Sequence, residues 1–455
     1  MSVPVDTERR LFTPIAFTFP YMIILLLGLK IESARYITFL TVLIFISAFF
    51  YFRQEKHFTI QPKYFFLLLF FAGYLLLGLA NGSMLQIIKN ISMVFVLMAP
   101  FFLFDWLFAE KNKKHLYKNT KAVLWVISPV LVYTIISTFY YLNKNPYLAR
   151  YMATYDSDAA SVVGLPIAIG GGYALIYGII VLVPLFIYLG KISKGSFRTA
   201  VLFFSGAVIL LAFIVKAGFA TAFLVAVIAG ISSLVIYGQQ RAIFWFFAVI
   251  GILYSFLFMS SAFIIQVIYG LRSLLPDHSI IGTRLEEIIP ILNGTSGNSS
   301  FSVRIDKLNE SISAFLDHPL IGIGPKYGFD YTAVAAHTGF HTEWIDLLSQ
   351  YGLLLGIPLM IFIFTTFVQL LKIFQDTMYS PLIKLSTLTL LCIGFLNPIL
   401  NTSAFLIAFV FIPSLLVQHS LRQEYKEKVY SDILLNENKT SDNRMNKEPK
   451  VFLLR

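Results

Sequence analysis

The segment from Arg304 to Gly352 carries most of the side chains in this chain that are suited to chemistry. Four of the seven histidines lie between residues 268 and 351, and they are His278, His318, His337 and His341. Histidine exchanges a proton near neutral pH, and arginine keeps its positive charge at any relevant pH. The flanking segments hold few titratable groups, so any chemistry that the chain performs is predicted to lie here.

A first helix in this segment is predicted from apolar residues that recur at spacings of three and four, namely Ile305, Leu308, Ile312 and Phe315. Such spacing is typical of a helix that packs one apolar stripe against a core. Arg304 stands at its start. Its end is predicted near Asp317, because Pro319 cannot continue a helix and Gly322 and Gly324 supply a flexible turn. His318 is expected to shape that turn.

A second helix is predicted from the spacing of Phe340, Trp344, Leu347 and Tyr351. His341 is expected in its first turn. His337 lies four residues earlier, a spacing that could hold zinc on one helical face. However, Thr338 rather than a glutamate follows His337, Gly339 weakens helix continuity, and no third ligand is evident. The prediction is therefore that no metal is bound.

The elements that must position these residues are predicted to be membrane-spanning helices. The chain is 57% hydrophobic and only 13% charged, whereas soluble proteins have roughly 25% charged residues. About twelve apolar runs could cross the ~30 Å hydrocarbon layer as helices. They are Phe12–Leu29, Tyr36–Phe52, Tyr64–Ala80, Gln86–Phe108, Ala122–Tyr141, Ile167–Leu189, Thr199–Val215, Phe219–Tyr237, Ala242–Val267, Leu353–Leu371, Leu385–Leu400 and Thr402–His419. The runs lack the alternating polarity of a barrel, so an all-α polytopic fold is predicted.

Basic residues set the predicted orientation. The net charge is +11, but the Lys and Arg side chains cluster in short connections between spans, which indicates membrane orientation rather than nucleic-acid binding. Lys63 is among those assigned to a cytoplasmic connection. Both termini are then cytoplasmic, and the loops 142–166 and 268–351 face outward. Residues 1–419 form one membrane domain whose first span is a retained signal anchor, and 420–455 form a disordered cytoplasmic tail.

Cofactor chemistry has little support in the sequence. We find no glycine loop of the Walker or Rossmann kind, so neither ATP nor a dinucleotide is indicated. Cys392 is the single cysteine, which rules out an intrachain disulfide and a cysteine-based metal cluster. The reaction is therefore expected to use an already activated substrate and no cofactor.

Taken in order, these residues resemble the signature of the O-antigen ligase and polymerase family. In that family an arginine precedes a helix ending in His-Pro-Leu-x-Gly-x-Gly, as Arg304 does before the run from His318 to Gly324. A later histidine opens a helix leading to a glycine pair, as His341 does here. This chain departs from the pattern at Thr342, where Asn is usual, and in the wider glycine pair of Gly352-Leu353-Leu354-Leu355-Gly356.

The resemblance implies a GT-C-like, metal-independent glycosyltransferase of the bacterial cytoplasmic (inner) membrane, with its active site facing the periplasm. Its donor would be an undecaprenyl-pyrophosphate-linked oligosaccharide, attacked at the anomeric carbon by an acceptor hydroxyl with inversion. A polymerase is favoured by the chain length of 455 residues and the extra outward loop, and a chain-length regulator is a possible partner. The alternatives are a ligase that transfers polymer to lipid A core and, from another class, a flippase or transporter, which would predict internal repeats.

Within that chemistry, His341 is expected to accept the acceptor's proton, since a helix N-terminus disfavours imidazolium. Arg304 is expected to grip the diphosphate through its two-pronged guanidinium group. Lys216, Arg284 and Arg150 are further candidates for substrate binding. The structural alternatives are a histidine packed at the membrane boundary, an arginine bonded to Asp306 or Glu310 on the loop surface, and a snorkelling lysine.

Overall fold

The structure is a computed structural model, and it describes part of the chain. The described residues are 61–81, 84–108, 113–144, 173–193, 197–236, 261–273, 300–327, 336–339, 341–397 and 402–422, with isolated positions at 282, 286, 289, 334 and 399. The first two predicted spans and most of Ala242–Val267 lie outside these ranges, as do Arg150, Arg284 and the tail from 423 onward.

Every regular element in the described ranges is helical, which agrees with the predicted all-α fold. The α-helices in chain order are α1 Pro62–Asn81, α2 Met84–Phe108, α3 Lys113–Lys144, α4 Tyr173–Ile192, α5 Phe197–Ala217, α6 Ala220–Val235, α7 Ser261–Ser273, α8 Ser300–Asp317, α9 Glu343–Ile373, α10 Ser380–Leu396 and α11 Thr402–Phe405. A 3₁₀ turn covers Gly324–Tyr327, and α11 continues through the π-helix Leu406–Phe411 into helix 412–422.

Five of these helices contain a stretch long and apolar enough to cross a membrane, and they are α1, α3, α4, α5 and α9. Shorter apolar helices lie in α2, α6, α10 and the segment Leu406–Arg422. The chain is thus a multi-pass membrane protein of helical architecture. The predicted total of about twelve spans is not tested, because several of the predicted runs lie outside the described residues.

Two of the packed helix pairs, α4 with α5 and α1 with α9, run antiparallel. Helix α5 packs against α4 where glycines admit aromatic rings, because Gly190 lies against Phe204 and Gly206 lies against Phe186. Helix α9 packs against α1 in the same antiparallel sense. Gly73 in α1 meets Leu355 near the start of α9, whereas Lys63 meets the later part of that helix.

Lys63, assigned above to a cytoplasmic connection, is instead the second residue of α1 and is buried at one end of the bundle. Its ammonium group lies 2.7 Å from the Asp105 carboxylate of α2 and donates to Gln369 of α9 at 2.7 Å. The Tyr64 hydroxyl also donates to Asp105. The side chain of Lys63 is only 3% exposed, because α1, α2 and α9 converge around it. A charge this well enclosed needs such partners, and the pair ties these three helices together.

Candidate active site

Helix α8 ends where the sequence predicted. It runs from Ser300 to Asp317, and the His318 N–H closes its last turn by donating to the carbonyls of Ala314 and Phe315, both at 3.2 Å. The His318 carbonyl then accepts the Gly322 N–H at 2.9 Å. His318 therefore shapes the turn through its backbone, as predicted, and Gly322 in that turn packs against Gly352 of α9.

Helix α9 is divided by Gly352 into two helical segments. This residue has φ 63° and ψ −171°, a conformation that is open to glycine and strained for other residues. Gly322 in the turn after α8 also has a positive φ, 69°. A Cβ on Gly352 would lie 2.4 Å from the Gly322 nitrogen, and a Cβ on Gly322 would lie 2.5 Å from the Gly352 nitrogen. The two glycines thus interlock, backbone against backbone.

Hydrogen bonds close this junction. Breaking a helix leaves N–H and carbonyl groups without their usual partners. The freed N–H groups of Leu353 and Leu354 donate to the carbonyls of Pro319 and Leu320 at 2.8 and 2.9 Å. In return, the Ser349 carbonyl accepts the Ile323 N–H at 2.8 Å. The two glycine motifs therefore form one structural unit that fixes the end of α8 against the start of α9.

The most deeply buried residues of α8 lie beside the predicted apolar stripe rather than on it. Ser311 and Ala314 are buried, whereas within the stripe Leu308 and Phe315 are half-buried and Ile312 is 37% exposed. Close approach explains the difference, because a Cβ on Gly339 would lie only 1.8 Å from the Lys307 carbonyl oxygen. Only small side chains fit where the chain at Gly339 touches the helix. The predicted apolar stripe is therefore half-buried, beside the small-residue face that makes the closest contact with the protein.

A buried polar chain links α8 to the first turn of α9. The Gly339 N–H donates to the Ser311 hydroxyl at 2.8 Å, and that hydroxyl donates to the Asp346 carboxylate at 2.5 Å. The second oxygen of Asp346 accepts the Thr342 N–H at 2.9 Å. These bonds fix Gly339, two residues before His341, and Thr342, directly after it.

His341 lies just before the helix rather than in its first turn. Helix α9 begins at Glu343, and Thr342 is its N-cap with extended backbone angles, φ −136° and ψ 121°. The Asp346 carboxylate stabilises that extended entry by accepting the N-cap N–H, which explains the later start. The half-buried imidazole of His341 still stands at the N-terminal end of α9. The expectation that His341 is beside a helix N-terminus therefore holds, while its placement within the first turn is wrong.

Arg304 belongs to α8, and its side chain lies outside what the structure describes. Its place in the helix is informative, since it precedes Lys307 by three residues and Ser311 by seven. Residues at these spacings share one face of a helix. The backbone at Lys307 touches Gly339, two residues before His341. Arg304 and His341 therefore belong to two elements that meet. Glu310, one of the carboxylates considered as its alternative partner, pairs with Lys307 at 2.6 Å.

The start of α9 is also anchored to the opposite side of the bundle. The buried Glu343 carboxylate accepts the N–H of Ile399, between α10 and α11, at 2.7 Å. The neighbouring Trp344 indole donates to the Leu391 carbonyl at 3.1 Å and lies against Gly394. The turn that follows His341 is thus held by α8 on one side and by α10 on the other.

His337 has a structural partner. Its ring stacks on Tyr327, with centroids 4.5 Å apart and planes 12° apart. Tyr327 closes the 3₁₀ turn that follows the glycine junction and packs on the small cluster of Ala314, Ile323 and Val334. The exposed His337 ring therefore packs on the turn that follows the glycine junction.

Lys216 is half-buried in the last turn of α5, and a two-residue turn at Gly218 and Phe219 leads into α6. Because α5 is antiparallel to α4, this turn lies at the end of the bundle where α4 begins. The start of α9 lies at the same end. Gly178, near the start of α4, contacts Ile407. Ile399, which precedes Ile407 in the chain, donates its N–H to Glu343 at the start of α9. Lys216 and His341 thus occupy the same end of the molecule.

Ser311, Glu343 and Asp346 were not among the predicted site residues. Two acidic residues in the first turn of a helix that enters the membrane are a signal that the sequence does contain. Ser311 offered no such signal, because a serine on a loop helix is ordinarily solvated. Its role depends on the approach of Gly339, which is a long-range contact.

The fold and this site define the class as a multi-pass helical membrane protein with a polar site at one end of its bundle. Residues 205–360 match the family described as O-Antigen ligase. This match supports the O-antigen ligase/polymerase family that the motif indicated. The matched residues include Lys216, Arg304, His341 and both interlocked glycines. Members of the family are glycosyltransferase-like enzymes. No curated protein matches the chain.

Proposed function

We propose that this protein is a surface-polysaccharide polymerase that joins undecaprenyl-pyrophosphate-linked repeat units at the periplasmic face of the inner membrane, with a GT-C-like architecture. The observation that supports it best is the junction of α8 and α9, which brings the element carrying Arg304 against the segment carrying His341. An enzyme that transfers sugar from a lipid diphosphate needs a proton acceptor and fixed positive charge in one place.

In the proposed reaction, the hydroxyl oxygen of an acceptor sugar attacks the anomeric carbon of the lipid-linked donor. The bond between that carbon and the diphosphate oxygen breaks, and the configuration inverts. His341 takes the proton of the attacking hydroxyl, and the diphosphate leaves with the bonding electrons. Arg304 stabilises the negative charge that develops there, since a guanidinium group binds phosphate oxygens through two parallel hydrogen bonds.

The polar chain through Ser311 and Asp346 supports this assignment by giving His341 a fixed position. Catalysis by a positioned base requires the reacting atoms to be held within hydrogen-bond reach. Gly339 and Thr342 flank the histidine, and both are bonded into this chain. Asp346 and Ser311 act through the backbone on either side of the base, so they are positioning residues.

Lys216 is proposed as a second cation for the donor's diphosphate. It lies at the same end of the bundle as His341, in the last turn of a helix that spans the membrane. A lysine there reaches the headgroup region by extending its ammonium group toward water. Arg150 and Arg284 remain proposed substrate-binding residues from their places in the outward loops.

A ligase is the second candidate, because the matching family is described as O-Antigen ligase. Both activities use the same donor chemistry and differ in the acceptor. A chain-length regulator is a proposed partner in the case of the polymerase.

The surface glycans of cells that lack the protein test the proposal. A core bearing a single repeat unit is expected for a lost polymerase, and the wild-type gene should restore long chains while the His341→Ala gene should not. A bare core with polymer retained on its carrier lipid would identify the protein as a ligase instead of a polymerase. An unchanged glycan profile would overturn both.

A further inference from the structure

Helix α8 leaves an apolar strip uncovered. Ile312 and Leu316 of α8 are 37% and 67% exposed, and Leu320, in the turn that follows the helix, is 61% exposed. Large aliphatic side chains in a row of this kind are not expected to face water on a loop helix. The strip therefore calls for a partner outside the described residues of the bundle.

Three different faces run along α8. One face packs on the protein through the buried Ser311 and Ala314. A second is acidic and exposed, and it includes Asp306, Glu310 and Asp317. At 100° per residue, Leu316 lies about 120° around the helix from Glu310, so the apolar strip is a separate third face. A polar face and an apolar face on one helix are typical of a helix that lies in a membrane surface.

The apolar strip is continuous with the surface of a membrane-spanning helix. The Leu320 carbonyl accepts the Leu354 N–H at 2.9 Å, which joins the end of the strip to α9. Leu354 is 58% exposed and Ile357 is 41% exposed, and both lie in the span Glu343–Ile373. Exposed leucine and isoleucine on a span face lipid. The strip therefore extends a lipid-facing surface beyond the end of the span.

We infer that α8 is an interfacial helix whose Ile312 and Leu316 side chains are immersed in the hydrocarbon edge of the bilayer. The acidic face then points to water, and the small-residue face holds the helix against the candidate site. The occupant of the strip is bilayer lipid, because the strip joins the lipid-facing side of α9 without a break. This inference is independent of the reaction proposed above.

Such a placement sets the depth of the candidate site. The junction of Gly322 and Gly352 lies between α8 and the span, so it falls at the level of the membrane surface. A group carried on a lipid has its head at that level. The site would therefore meet a lipid-linked substrate without drawing it out of the bilayer.

The test uses the full-length protein reconstituted in bilayers, with Cys392 replaced by alanine and a single cysteine introduced for a fluorescent label. Leu316→Cys reports the apolar strip, and Glu310→Cys is the matched control on the acidic face of the same helix. Leu354→Cys in the span is the reference for a lipid-facing position. Quenching is measured with spin-labelled phospholipids and, separately, with a water-soluble quencher.

Spin-labelled lipids are expected to quench the label at position 316 several times more strongly than the label at 310, and about as strongly as the label at 354. The water-soluble quencher should quench the label at 310 more strongly than the label at 316. Equal quenching at 316 and 310 would overturn the inference. So would a disulfide-linked dimer of Leu316→Cys, which would assign the strip to a second copy of the chain. If Leu316→Cys does not accumulate, Leu320→Cys gives the same reading.

Discussion

Replacing Gly352 by alanine should disrupt the junction on which the site depends. The added Cβ would lie 2.4 Å from both the Gly322 nitrogen and the Leu320 oxygen, and neither backbone atom can move without separating the two segments. Holding a non-glycine residue at this φ and ψ costs about 1–3 kcal/mol. Separation would also weaken the three hydrogen bonds across the junction, each worth about 0.5–1.5 kcal/mol. The expected loss of stability is about 3–7 kcal/mol.

Gly356→Ala is the matched control for this prediction. Gly356 belongs to the same glycine pair, but it lies within the helix and its nearest contact for a Cβ is 3.2 Å. Alanine is favoured over glycine in a helix by about 1 kcal/mol, which offsets the tight contact. The stability of this variant should therefore stay close to that of the wild-type protein.

Thermal unfolding in detergent measures both variants. The half-buried Cys392 is the single cysteine of the chain, so a thiol-reactive dye reports unfolding at one site. Gly352→Ala should lower the midpoint markedly and abolish complementation of a deletion strain, and Gly356→Ala should do neither. Equal midpoints for Gly352→Ala and the wild-type protein would refute the interlocked junction as a source of stability.

Three further predictions concern other parts of the molecule. Asp346→Asn should lower kcat with little change in KM. Adding Ser311→Ala to that variant should lower kcat little further, because both residues belong to one hydrogen-bonded chain and mutations within such a chain are not additive. Lys63→Met should destabilise the fold by about 3–5 kcal/mol by leaving a buried carboxylate without its cation, and Asp105→Leu in the same protein should restore much of the loss. Lys216→Ala should raise KM for the lipid-linked donor more than it lowers kcat, if its ammonium group binds the diphosphate.

Each of these three has an outcome that would contradict it. Fully additive effects in the double variant would separate Ser311 from Asp346. A Lys63→Met protein as stable as the wild type would show that the buried pair contributes nothing to holding the helices together. Unchanged steady-state kinetics for Lys216→Ala would leave that lysine with a snorkelling role at the end of its span.

Local signals in the sequence were enough to locate the end of α8 and the turn that follows. Pro319 and Gly322 act through their own backbone restrictions, so their effect does not depend on distant residues. The motif also identified the two segments that meet in the site. The motif did not show why these positions are glycines. The reason is the contact between the backbones of Gly322 and Gly352, which only the folded structure shows.

The orientation of α8 could not be predicted from its own pattern. A spacing of three and four shows that a helix has an apolar face, but the partner of that face is not encoded in the spacing. In a soluble protein the partner is a core. Here the segment leads into a membrane span, and Ser311 and Ala314 take the protein side because Gly339 approaches so closely.

The pairing of Lys63 with Asp105 could not be predicted by counting basic residues in the connections between spans. Lys63 lies near the end of a span, which fits the rule that basic residues set orientation. Asp105 within a predicted span was the available signal, since an ionisable group there calls for a partner. Its partner could not be identified without the packing of α1 against α2.

In the proposed reaction, His341 and Arg304 together transfer a sugar from a lipid diphosphate. The most direct measurement is turnover of a synthetic undecaprenyl-pyrophosphate-linked repeat unit by purified protein, following both the released lipid diphosphate and the lengthened glycan. His341→Ala should lower both rates together by about 10²- to 10⁴-fold, and Arg304→Lys should also lose most activity because lysine lacks the two-pronged contact. Near-normal turnover by folded His341→Ala protein would contradict the account.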